Sequence, residues 1–185
     1  PVRFRRRFCT TKGINSTADS WLLGTASTSM SSSFGIPNCI LVGFKTTVPT
    51  VATCDDGFTF SRVKSLRVSV GAENYPQEFM WCDVDVPNGR SRCLQAYDAY
   101  SNFCWKMGNE PTMSISHFRL YDAIFCFDTT AHHEMIGNIS ANITIDMEFY
   151  VAPAAGTLTA YAVIFSDARL MINTDNGRMS QINFS

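Results

Sequence analysis

NISANITIDMEFYV, residues Asn138–Val151, alternates for its whole length. Ile139, Ala141, Ile143, Ile145, Met147, Phe149 and Val151 take the odd positions, and Asn138, Ser140, Asn142, Thr144, Asp146, Glu148 and Tyr150 the even ones. Side chains of a strand repeat every two residues, so this segment is apolar on one face and polar on the other. A helix would scatter the same apolar residues around its circumference. Each large apolar side chain is worth roughly 1.5–3 kcal/mol when buried, so on the order of 10 kcal/mol gross depends on covering that face. A lone hairpin cannot cover it, whereas a second sheet can. The next segment, Thr157–Phe165 (TLTAYAVIF), follows a Pro153–Gly156 connection and is expected to be the antiparallel partner in a hairpin.

Working outward, Pro37–Phe44 (PNCILVGF) is a short, continuous apolar run, the pattern of a buried strand. Phe58–Val70 ends in the alternating SLRVSV, Gly71–Gln77 reads as a turn, and Phe79–Val86 as a further strand closed by Pro87-Asn88-Gly89. Arg92–Trp105 (RCLQAYDAYSNFCW) has near-helical spacing at Leu94, Tyr97, Tyr100, Cys104 and Trp105. Tyr121–Phe127 reads as a strand, Val2–Phe8 as a partly alternating one, and Ser16–Gly35 as loop around Trp21–Leu23. The tail, Arg169–Phe184, carries an Asp175-Asn176-Gly177 turn. Short strands, one short helix and Gly/Pro/Asn turns predict an all-β, antiparallel sandwich of about eight strands. The expected organisation is a single domain overall, with an arm, first strand and loop over residues 1–35 and the sandwich proper over 36–185.

The chain has 185 residues, enough for one domain with a proper core. Fourteen Phe and six Tyr favour sheets. Charged residues make up 17%, below the usual ~25%, which predicts surface covered by partners as well as by water. A net charge of −1 excludes a globally basic nucleic-acid binder. No apolar run reaches the ~18 residues of a membrane helix. The chain begins at Pro1 without a secretory signal, which suggests a processed product or an excised piece. Cys9, Cys39, Cys54, Cys82, Cys93, Cys104 and Cys126 contain no CxxC pair, so free buried thiols are expected rather than a zinc site. Four Asn-x-Ser/Thr sequons begin at Asn15, Asn138, Asn142 and Asn183, chance matches in a chain rich in these residues.

Residues with chemical potential form no convincing constellation. His132-His133-Glu134, near Asp128, holds two adjacent His that a strand would point to opposite faces, away from a shared metal. Cys126 lies between Phe125 and Phe127, the setting of a structural thiol rather than a nucleophile. Asp83 and Asp85 share a strand face, yet nothing names the second group a carboxylate pair needs. There is no phosphate loop, nucleophile elbow or EF-hand loop. No catalytic, cofactor-binding or metal-binding residue is therefore assigned. The one basic run, Arg3, Arg5, Arg6 and Arg7, suits either phosphate contact with nucleic acid or a charged strand edge that blocks unwanted pairing.

Taken in order, the chain resembles the C-terminal jelly roll of double-jelly-roll major capsid proteins of the Polinton, adintovirus and virophage group, with adenovirus hexon as a remote relative. PNCILVGF is similar to the group's Pro-plus-apolar strand, Gly57–Val70 to its next strand, and Tyr75-Pro76 to a Tyr-Pro after the following turn. LQAYDAY (Leu94–Tyr100) resembles its helix, and IFCFDT (Ile124–Thr129) its Phe-x-Phe-Asp-Leu motif, with Thr129 where Leu is usual. Gly137–Phe149, Thr157–Phe165 and Ile172–Arg178 resemble its terminal hairpin and tail. The similarity spans roughly Ile36–Arg178, and Cys is more frequent here than in the group.

The resemblance implies a jelly roll that builds a shell. Three two-roll subunits would form a pseudo-hexameric capsomer, with a sister roll, trimer mates and neighbouring capsomers as partners. It implies a place in the virion after assembly inside the host cell, no enzymatic activity and no cofactor. Part of the polar face of Asn142, Thr144, Asp146 and Glu148 would then meet another roll. The alternative is a carbohydrate- or receptor-binding sandwich in which Trp21, Trp81 and Trp105 stack on sugars. A hydrolase built on the His and Asp content is the weakest option.

Overall fold

The computed structural model describes residues 2–26, 37–46, 63–82, 93–120, 123–130, 141–172 and 179–183. These hold nine strands and two helices: β1 (Val2–Ile14), β2 (Ala18–Ala26), β3 (Pro37–Thr46), β4 (Val63–Val70), β5 (Glu73–Trp81), α1 (Leu94–Lys106), α2 (Ile115–Leu120), β6 (Ile124–Asp128), β7 (Ala141–Phe149), β8 (Leu158–Ile172) and β9 (Met179–Asn183). One sheet, sheet A, has the order β1-β8-β3-β6 with β9 on β8; the other, sheet B, has the order β2-β7-β4-β5. All pairings are antiparallel. From β1 to β8 the chain changes sheet at every step except β4 to β5. A five-stranded and a four-stranded sheet whose first eight strands interleave in this way form a jelly roll.

The β7 alternation is realised as two faces. Ile143, Ile145, Met147 and Phe149 are buried, while Asn142 is exposed and Thr144, Asp146 and Glu148 are half-buried. The expected hairpin between β7 and β8 does not form. β7 lies between β2 and β4, and β8 lies between β1 and β3 in the opposite sheet. A period of two fixes which side chains share a face, but not which strand lies alongside. Here the two apolar faces oppose each other, with Ala160, Ala162 and Ile164 of β8 buried in the same core as the β7 residues.

An aromatic series crosses that core. Phe44 of sheet A meets Phe149 of sheet B edge-on at 5.5 Å and Phe125 at 6.0 Å. Phe125 meets Phe118 of α2 at 6.4 Å, and Phe118 meets Tyr97 and Tyr100 of α1 at 5.6 Å each. The helices thus close the side of the sandwich where the edge strands β5 and β6 lie. Covering an edge strand with a helix blocks stray pairing.

The ends of the elements follow local chemistry. α1 stops at Gly108, whose φ of +77° suits a residue without Cβ. Its N–H reaches the Trp105 carbonyl at 3.0 Å, and the Asn109 N–H reaches the Cys104 carbonyl at 3.0 Å, a Schellman closure. Ser114 begins α2, its Oγ accepting from the His117 N–H at 3.2 Å. β4 and β5 are joined by Gly71-Ala72, with Gly71 at φ +64°.

Three further expectations change. Ser16–Gly35 is not loop throughout, because Ala18–Ala26 forms β2 with Trp21 turned into the core. β1 and β2 each form one edge strand of a sheet, β1 of sheet A and β2 of sheet B. The turn before β5 is only two residues long, and Pro76 lies inside that strand, where an edge position tolerates its missing N–H. There are two helices rather than one; α2 has only six residues, too few for a periodic signal. The stretches 58–62, 83–92 and 173–178, and with them Asp83, Asp85 and the Asp175-Asn176-Gly177 turn, lie outside the described residues.

Thr129, the departure from the capsid-like Phe-Asp-Leu pattern, has a structural task. It is fully buried; its Oγ1 donates to the Pro37 carbonyl at 2.5 Å, and its N–H donates to the Asn38 carbonyl at 3.0 Å. Thr129→Val keeps the shape and leaves a buried carbonyl short of a donor. The expected loss is about 1–3 kcal/mol, read from urea denaturation.

Candidate functional site

The two outer faces of the sandwich differ in chemistry. On sheet B the polar residues of β7 bind their own neighbours. Asp146 accepts from Ser20 Oγ at 2.8 Å and from Arg67 Nη2 at 3.1 Å, and the Arg67 guanidinium sits 4.2 Å from the Phe79 ring centre. Glu148 accepts from Ser65 Oγ at 3.2 Å and pairs with Lys64 Nζ at 3.0 Å. Lys12 Nζ bridges to Asp19 at 2.5 Å. The carboxylates of Asp146 and Glu148 are thus engaged within the sheet. Such partly exposed pairs contribute about 0–1 kcal/mol each, so they tune register and solubility more than stability.

Sheet A has a different outer face. Its register puts Cys39 opposite Asp128 on one side and Phe165 on the other, Leu41 opposite Cys126, and Arg5 opposite Asp167. α1 crosses one end of this face. Phe103 packs on Phe165 at 5.7 Å, Lys106 Nζ binds Asp128 Oδ2, and Arg5 reaches both Asp167 Oδ1 at 3.5 Å and the Met107 sulfur. A cavity of about 460 Å³ remains between helix and sheet. Phe103, Phe165, Cys39, Cys126 and Ala99 give it apolar walls; Arg5, Lys106, Asp128 and Asp167 stand among its polar lining.

Burial governs the two cavity thiols, Cys39 and Cys126. Burial, reinforced by the negative charge of Asp128, pushes Cys39 up to about 12. Burial likewise raises Cys126, which lies near Cys39 and Cys104. Both stay protonated at neutral pH, and a thiol without thiolate is a poor nucleophile. Of the six described cysteines, Cys82, Cys93 and Cys126 are buried, Cys39 and Cys104 half-buried and Cys9 exposed.

Burial also acts to raise the Asp128 carboxyl, but hydrogen bonds from Lys106 and from the Thr130 amide and hydroxyl outweigh it and hold the group below its ordinary value. A carboxylate depressed in the folded state stabilises above its unfolded pKa near ~3.9, and that contribution is lost as pH falls through the folded value. Asp128 is half exposed, so the effect is well under about 1 kcal/mol. Asp128→Asn should melt slightly lower than the unaltered protein at pH 7, and the gap should close on acidification.

The basic run is divided by the strand that carries it. Arg5 and Arg7 share the outer face of sheet A, where Arg7 lies 5.6 Å from the Phe165 ring, while Arg6 sits on the alternate face, 4.6 Å from the Phe8 ring. Arg3 lies in the same strand, opposite Arg169. Arg5, Arg6 and Arg7 do not share one phosphate-facing surface, and nucleic-acid contact gains no support. Of the three tryptophans, Trp21 is core, whereas Trp81 and Trp105 are exposed. His132, His133, Glu134 and Cys54 fall outside the described residues. Among the described residues no group of three or more His, Cys, Asp or Glu is placed to hold a metal, and no helix is long and apolar enough to cross a membrane.

The seam beneath α1 escaped the sequence reading because its parts lie far apart in the chain. One signal pointed to it. PNCILVGF and IFCFD are apolar at consecutive positions, unlike the strict alternation of β7. Continuous apolar strands belong to sheets covered on both faces.

No family model matches the chain, and no curated protein matches it. Among solved structures, the chain is similar to one in the cryo-EM structure of the Sputnik virophage at 14% identity and a TM-score of 0.43, over 100% of this chain and 37% of that one. It is also similar to the mavirus major capsid protein at 13% identity and a TM-score of 0.32, over 100% of this chain and 42% of that one. The chain thus spans less than half the length of either.

Proposed function

We propose that this chain is one jelly roll of a double-jelly-roll major capsid protein, that it assembles into trimeric, pseudo-hexameric capsomers of an icosahedral virion shell, and that it acts through interfaces without catalysis. The observation that carries this reading is the strand order, β1-β8-β3-β6 over β2-β7-β4-β5, threaded by the capsid-like motifs in their expected sequence. PNCILVGF lies in β3, Tyr75-Pro76 in β5, LQAYDAY in α1 and IFCFD in β6. The surface supports an assembly role. Leu94 and Trp105 are 56% and 58% exposed. Eleven residues is close to three helical turns, so both stand on one face of α1. Exposed aliphatic and aromatic anchors of this kind are what protein interfaces bury.

Mass photometry of the chain, alone and with a companion roll, tests the reading. Species above the 20.6 kDa chain mass are expected. Leu94→Asp with Trp105→Asp should shift them toward monomer while leaving the melting temperature within a few degrees. A strictly monomeric protein under every condition contradicts the proposal.

A second reading, sugar binding, draws on Trp81 and on a shallow depression of about 300 Å³ on sheet B, where Phe79 adjoins Asp19, Ser20, Asp146 and Glu148. Aromatic rings beside carboxylates and a hydroxyl suit a sugar. A glycan array without signal rejects it.

A further inference from the structure

We propose that the cavity between α1 and the outer face of sheet A binds a small amphipathic carboxylate of the medium-chain fatty-acid class, its apolar body inside and its head at Arg5. At about 460 Å³ the cavity falls within the ~300–1,000 Å³ of small-molecule sites. Its walls are chemically suited to an apolar body: Phe103 and Phe165 pack against each other there, and Cys39 and Cys126 are neutral thiols.

The charge of the head follows from how the lining groups are engaged. Asp128 is taken up by Lys106 and by two donors of Thr130. Arg5 is served poorly by comparison. Its Nε has a carboxylate at 3.5 Å, and its Nη1 has a thioether sulfur, a weak acceptor. A guanidinium carries five donors and binds carboxylates bidentately, so the lining has donor capacity to offer and an anion is the complementary ligand. The exposed Arg5–Asp167 pair is of the weak kind that an incoming carboxylate can displace.

Calorimetric titration of the 185-residue chain with decanoate, and separately with decanol, tests this directly. Saturable binding of one decanoate per chain is expected, with decanol at least tenfold weaker. Arg5→Gln should reduce decanoate to the decanol level, and Ala99→Trp, which fills the cavity, should remove binding of both. Should Ala99→Trp fail to fold, the amide spectrum of the unaltered protein, followed by NMR, decides in its place. Decanoate should shift the resonances of Arg5, Ala99, Phe103 and Phe165 and leave those of Ile143 and Ile145 in sheet B unchanged. No saturable binding, equal affinity in Arg5→Gln, or equal shifts across both sheets overturns the proposal. Because none of these readouts involves assembly, the outcome is independent of the capsid reading.

Discussion

Ile145→Asp yields no cooperatively folded protein, and Ile145→Ala loses about 2–5 kcal/mol, whereas Thr144→Ala beside it changes stability by less than about 0.5 kcal/mol. Ile145 is fully buried between Trp21 of β2 and Val68 of β4, its register partners, in a central strand of sheet B. Truncation leaves a cavity in close packing, and an aspartate there would be an unpaired charge with no water. Thr144, one residue away, lies on the opposite, half-buried face. The contrast between adjacent residues is what a strict two-residue period requires, and chemical denaturation of the three variants measures it. Equal losses at 144 and 145 would mean that the faces are misassigned.

Phe44→Ala should cost about 3–5 kcal/mol, at the upper end for a core truncation. Phe44 belongs to β3 in sheet A but packs edge-on against Phe149 of sheet B and Phe125 of β6. Its loss removes contacts that tie the two layers and, through Phe125 and Phe118, the helical cover. Aromatic pairs add roughly 0.5–1.5 kcal/mol beyond area burial, so Phe44→Leu, which keeps much of the volume, should recover only part of the loss. Comparable stabilities of the Ala and Leu variants would argue against aromatic packing as the link between sheets.

These two positions also show what the sequence makes legible. The alternation of β7 reveals its faces residue by residue, and the unbroken apolar runs of β3 and β6 mark strands covered on both sides. Sheet membership is less readable, because every connection but one between β1 and β8 crosses the sandwich. Sequential neighbours such as β7 and β8 therefore face each other instead of pairing. β2 was hidden by its Ser/Thr/Gly-rich setting and by a register shift between Leu22 and Gly24 that breaks the alternation after Trp21. The cavity under α1 draws on β1, β3, α1, β6 and β8, a convergence no spacing rule records. Arg5 illustrates the difference: in the sequence it is one of four clustered arginines, while in the fold its partners are Asp167 and Met107.

The capsid reading rests on assembly, and electron microscopy of the purified chain, expressed together with a companion jelly roll, tests it most directly. The account predicts uniform capsomer-sized particles with threefold symmetry and a pseudo-hexagonal outline, in which this roll can be fitted. A dispersion of single 20.6 kDa chains, with no larger particle at any concentration or with any companion, would contradict it.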